Sequence, residues 1–141
     1  MAYHWLNLVI GLLTRQRSLL QALERFHILI NDSDKQHQET YRNSCTSLQE
    51  CLESYLRDQR GILVWPLRAD LSIFTLLESQ DSMAVLFFLH YGVALHLLTH
   101  RWFTKGSGKR LVRALVQSFN TDKEQWVDTI QWAKKSVGIE D

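Results

Sequence analysis

The chain has 141 residues, 45% of them hydrophobic, enough for a sizeable core and too apolar for a disordered chain. Lys and Arg number 16 against 15 Asp and Glu, a net charge of +1, so the basic excess usual in nucleic-acid-binding domains is missing. One proline and 6 glycines leave little material for turns, which favours long helices over sheets.

Tyr3 to Ile30 reads as the first helix. Trp5, Leu8, Leu12, Leu19, Leu23, Phe26 and Ile30 keep three- and four-residue spacing, and Gly11 is a point where it could bend or split. No basic residue precedes the opening apolar run and no small-residue cleavage site follows it, so it does not have the form of a secretory signal. Asn31 to Asp34 is a cluster of turn residues. A second helix is expected from Asp34 to Gln59, with Tyr41, Cys45, Leu48, Leu52, Tyr55 and Leu56 as its stripe. Its two cysteines, Cys45 and Cys51, lie six apart, point to different faces and read as reduced thiols. That implies a cytoplasmic protein, or a nuclear one if the chain is regulatory.

Ile62 to Trp65 has no partner strand and reads as an extended connection, because a residue before proline is pushed out of helical geometry. Pro66 suits the first turn of a third helix reaching Glu78, with Leu67, Leu71, Phe74 and Leu77 inward. Ser82 to His100 is the stretch that organises the chain. From Met83 to Leu98 its only polar side chains are His90, Tyr91 and His96, and apolar residues occupy nearly every angle around its axis, so other elements must wrap it. Two histidines and the following His100, Arg101 and Lys105 argue against a membrane span. Asp81 or Ser82 is its cap. Thr104 to Lys109 holds GSGK, which lacks the full spacing of a phosphate loop and reads as a turn with a helix start at Ser107 or Gly108. That helix carries Leu111, Leu115, Val116 and Phe119. A capping box, Thr121 to Glu124, opens a sixth with Trp126, Ile130 and Ala133 on one side, ended by Gly138. The expected fold is all-α: one helical domain over residues 1–141, a compact bundle of five to six helices around the buried central helix at about 82–100.

Several residues recur in an order that resembles a known family. They are Val64-Trp65-Pro66, Phe74, Leu76-Leu77, Met83 to Leu86 with His90-Tyr91, Arg101-Trp102 with Lys105-Gly106, Leu111-Val112, Trp126 and Trp132. The series resembles the C-terminal part of the regulatory, or effector, domain of fungal zinc-cluster transcription factors, over about residues 60–139. Met83, Phe103 and Ala133 depart from that pattern, and nothing in the chain resembles the family's six-cysteine DNA-binding cluster. Read as a complete chain, it is expected not to bind DNA directly. The resemblance implies a free-standing helical body of a type that receives small effectors.

His90 and Tyr91 are the polar groups forced into the central helix. The structural reading is a hydrogen-bonded core histidine and a buried ring with a satisfied hydroxyl. The functional reading is a pocket in which His90 is general base or orienting donor, with Asp70 as its carboxylate partner and Arg68 gripping a carboxylate or enolate. Asp70 equally suits the first turn of the third helix. Trp65, Phe87, Tyr91 and Trp102 would line the pocket for a ligand, or simply pack. His96 and His100 are one turn apart, but no third ligand is placed, so neither a metal nor another cofactor is expected.

Two classes of function follow. In one, the chain is an enzyme acting on a small molecule in fungal secondary metabolism, cyclising or lactonising a polyketide-like keto or enol substrate by proton transfer. The polyketide element comes only from the setting of the family it resembles. In the other, it is a non-catalytic module of the transcription-factor type that senses a ligand or dimerises. Convergence of His90, Asp70 and Arg68 on one cavity favours the first; scatter, with the aromatics packed, favours the second. A homodimer is expected in either case, through the first helix, whose Leu6, Val9, Ile10, Leu13, Leu20 and Ile28 exceed what one buried face needs.

Overall fold

The computed structural model describes residues 2–55, 57–99, 106–119 and 124–139, apart from the side chains of residues 2–5, 8, 124 and 125. Seven helices appear among the described residues: α1 (Ala2–Asn31), α2 (Gln38–Glu53), α3 (Gly61–Arg68), α4 (Ser72–Glu78), α5 (Ser82–Leu98), α6 (Ser107–Ser118) and α7 (Glu124–Val137). The all-α expectation holds. The count is higher because the connection before Pro66 is itself helical and the third helix is divided in two. Gly11 does not split α1, which runs through it.

α5 is the axis of the bundle. Every residue from Met83 to Ala94 is buried, and so is Leu98. Its side chains are apolar on all sides, and all six other helices pack on it. The start of α5 follows the expected chemistry: the Asp81 carboxylate accepts the Ala84 N–H at 3.0 Å and also the Tyr41 O–H at 2.7 Å, which ties α2 to this cap. At the other end Tyr55 donates to the Leu98 carbonyl at 2.7 Å, satisfying one of the acceptors that a helix C-terminus leaves open.

α3 corrects the extended reading of residues 62–65. Trp65 is helical, and Pro66 lies inside the helix. A proline there has no N–H to offer the carbonyl four residues back, which is Ile62. Tyr91 supplies the missing donor: its hydroxyl donates to the Ile62 carbonyl at 2.9 Å. Burial of Trp65 against Phe87 and Tyr91, with ring centroids 5.1 and 4.9 Å apart, offsets the steric cost of a helical residue before proline. α3 then stops at an extended Ala69. Starting earlier and breaking there shifts the helical phase. Leu67 and Leu71, expected inward, are 88% and 77% exposed, while Ile62, Trp65 and Ile73 are buried instead.

GSGK is a packing device. Gly106 is left-handed at φ 78°, and α6 begins at Ser107, as expected. A Cβ on Gly108 would meet the Gly92 carbonyl oxygen at 2.3 Å and the His96 amide nitrogen at 2.4 Å. The two glycines let α5 and α6 touch backbone to backbone. Cys45 and Cys51 are free, buried thiols; burial pushes Cys45 up to about 12, which keeps it unreactive. Among the described residues no single helix is long and apolar enough to cross a membrane.

Candidate functional site

Around α5 the neighbouring helices meet in sequence: α1 with α2, α2 with α3 and α4, and α6 with α7. α1 and α7 make no comparably extensive contact, and a cleft of about 480 Å³ opens between them. Ala22, Arg25, Ile28 and Leu29 form one wall, Asp128, Thr129 and Trp132 the other, and His90 is the floor. The two walls arise from ordinary amphipathic helices. Each buries one stripe, and these residues sit on the edges of those stripes. Because the two helices do not close on each other over α5, these edges line a common cleft.

His90 is buried between the rings of Phe26 and Trp132, at centroid distances of 5.2 and 5.0 Å. Its Nδ1 lies 2.8 Å from the Leu86 carbonyl, so Nδ1 carries the proton and donates. Burial is the main influence on its basicity and pushes the pKa down to about 4. The Leu86 and Ala22 carbonyls oppose that shift, and the charge of Arg25 adds to it. The ring is neutral at physiological pH. Arg25 and Asp128 stand on opposite walls without an ion pair between them.

The other expected site residues are placed elsewhere. Trp65, Phe87 and Tyr91 do not line the cleft but sit in a cluster with Phe74 and Phe88, with ring centroids 4.9 to 6.4 Å apart; Phe87 also meets Phe26, the ring beside His90, at 6.1 Å. Trp65 and Phe87 are wholly buried, and burial raises the Tyr91 phenol to about 12. The Trp65 Nε1–H has no hydrogen-bond partner among the described residues. Arg68 ends α3, exposed. The Asp70 carboxylate accepts the Ser72 N–H at 3.0 Å just ahead of α4; it is not in a first helical turn as expected, and that of α4 holds no acidic residue. Neither lines the cleft, so the structure does not bring Arg68 and Asp70 to His90. Trp102 and His100, like the capping box at Thr121, lie outside the described residues.

The charged groups that do share the cleft with His90 are Arg25 and Asp128, with Thr129 beside them. The one available hint to α1 was Ala22, a small residue in an inward stripe of large ones. Nothing in the sequence pairs α1 with α7. A second hollow, about 270 Å³, adjoins the cleft at Leu29 and is lined by Asp32, Asp34, Asp81, Tyr41 and Trp126 among others. Burial first, then the Asp81 carboxylate, raises the Tyr41 phenol. Among the described residues no set of His, Cys, Asp or Glu is grouped to hold a metal ion. No family model matches the chain, and no curated protein or solved structure does.

Proposed function

We propose that this chain is a small-molecule-binding module of the regulatory type, and that its ligand occupies the α1/α7 cleft above His90. One observation carries the reading: a cleft of about 480 Å³, the size of ordinary ligand sites, in which Ile28, Leu29 and Trp132 sit beside Arg25 and Asp128, which form no ion pair among the described residues. Such a lining suits a flat, largely apolar molecule with an acidic group, stacked on Trp132 and paired with Arg25. Neutral His90 adds a fixed polar edge, since its Nδ1 proton is committed to Leu86. The scatter of Arg68 and Asp70, with Trp65, Phe87 and Tyr91 packed, supports the binding reading over the catalytic one. The regulatory character extends the resemblance to transcription-factor effector domains.

A catalytic reading, ring closure or lactonisation of a keto or enol substrate, draws on the same cleft, where Asp128 and Arg25 stand with His90. Its difficulty is the base. A ring whose conjugate acid lies near 4 is a weak proton acceptor at neutral pH.

Fluorescence titration with 8-anilinonaphthalene-1-sulfonate, an aromatic anion, tests the binding reading on cooperatively melting protein. Saturable binding at one site is expected, weakened several-fold by Arg25→Ala and abolished by Thr129→Trp, which fills the cleft. Binding that neither change affects refutes it.

A further inference from the structure

The outer face of α1 is as informative as its inner one. Leu19, Leu23, Phe26 and Ile30 are buried against the bundle. On the opposite side Leu6, Ile10, Leu13, Arg17, Gln21, Glu24 and Ile28 follow one another at four- and three-residue intervals, and all are exposed. Ile10 is 51% and Ile28 65% exposed. This is the spacing of a helix that packs along a second helix. A shallow hollow of about 300 Å³ runs along the same face, lined by Ile10, Leu13, Arg17 and Gln21 among others. Arg17 and Glu24 form no ion pair with any described residue.

The order of residues on this face is complementary to itself, but in one direction only. A second α1 laid antiparallel with its Glu24 opposite Arg17 places its Arg17 opposite Glu24. The same register sets Leu13 against Ile28 and Ile28 against Leu13, because 13 and 28 have the same sum as 17 and 24. Leu20 and Gln21 then meet at the two-fold axis. A parallel, in-register pair would instead oppose Arg17 to Arg17 and Glu24 to Glu24. We propose that the outer face of α1 is a two-fold interface with a second copy of this chain, antiparallel, with Arg17 paired to Glu24 and Leu13 to Ile28 across the axis. The paired stretch from Ile10 to Asn31 is about 32 Å long. One helix pair buries less than the roughly 1,600 Å² of a standard interface, so association in the micromolar range is expected. The pairing brings Leu13 of the second copy beside Ile28, at the lip of the cleft, yet it does not depend on what the cleft binds.

Light scattering on the full chain, with circular dichroism as a check on folding, tests the register. Wild type is expected to dimerise across the micromolar range. R17E and E24R are each expected to weaken association about tenfold or more by opposing like charges. The double variant R17E/E24R, and an equimolar mixture of the two single variants, are expected to restore it. Under mild oxidation the L13C/I28C double variant is expected to form a covalent dimer, and L13C alone is not. A monomer at every concentration overturns the proposal, whether or not the protein then partitions onto lipid vesicles. So does a dimer that both charge reversals leave intact, or one that L13C alone cross-links.

Discussion

His90 and Tyr91 are consecutive residues on one helix, and the structure treats them in opposite ways. About 100° apart around the α5 axis, they face different worlds. Tyr91 is sealed into the aromatic cluster of Trp65, Phe74, Phe87 and Phe88, and its hydroxyl completes α3 by replacing the donor that Pro66 lacks. His90 forms the floor of a cleft whose walls do not close. Both faces are rich in rings. What separates them is the covering: the Trp65 and Phe74 rings of α3 and α4 close over the Tyr91 side, while α1 and α7 leave a cleft between them over His90. Aromatic density alone therefore does not set the two faces apart; the open seam over His90 does, where Arg25 and Asp128 form no ion pair among the described residues.

The comparison can be broken at its base by charging α5 itself. Leu86 lies one turn before His90, and Val93 is fully buried further along. Leu86→Asp or Val93→Asp is expected to abolish folding, since an unpaired buried charge costs several kcal/mol against a total of about 5–15 kcal/mol. Soluble, cooperatively melting protein from both would place the core elsewhere. Next in size is Gly108→Ala, whose new methyl meets backbone atoms of α5 at 2.3 and 2.4 Å. A loss of about 3 kcal/mol in urea unfolding is expected; an unchanged midpoint would mean that α5 and α6 are not in backbone contact.

The sealed side is sharpened by Tyr91→Phe, which leaves the Ile62 carbonyl buried without its donor. The expected cost is about 2 kcal/mol, and it should vanish when Pro66→Ala restores an N–H to that carbonyl. The open side has a pH signature. The pKa of His90 is depressed in the folded state, so the unfolded chain takes up a proton that the folded one refuses. Stability from this group is complete above about pH 6.5, falls as pH is lowered toward 4, and levels off below that. The slope is at most about 1.4 kcal/mol per pH unit. His90→Phe should remove that part of the acid sensitivity and leave neutral-pH stability within about 1 kcal/mol. Parallel acid profiles for wild type and variant would show that His90 is not buried neutral.

The parts of the fold legible in the sequence are those decided locally. Ser82 to Leu98 is apolar on every face, so its central position followed from composition alone. Asp81 before the run and Gly106-Ser107 after it are terminus chemistry, readable within a turn. What escaped was decided by distant partners. α3 is helical through Pro66 because Tyr91, 29 residues away, supplies a hydrogen bond. Arg68 and Asp70 drew attention by standing next to Trp65-Pro66, but nearness along the chain says little once Ala69 turns extended. Arg25 and Asp128 are separated by most of the sequence, and only the packing of α1 and α7 on either side of His90 makes them neighbours of one cleft. His90 alone was legible, because a polar ring inside an apolar helix stands out whatever surrounds it.

If the His90 side of α5 receives a ligand and the Tyr91 side does not, indole N–H resonances separate the two. Titrating ¹⁵N-labelled protein with 8-anilinonaphthalene-1-sulfonate reads Trp132 and Trp65 in one experiment. The expected result is a saturable shift of the Trp132 indole N–H with Trp65 unmoved. A shift of Trp65 with Trp132 unmoved would contradict it, and would relocate the site to the aromatic cluster.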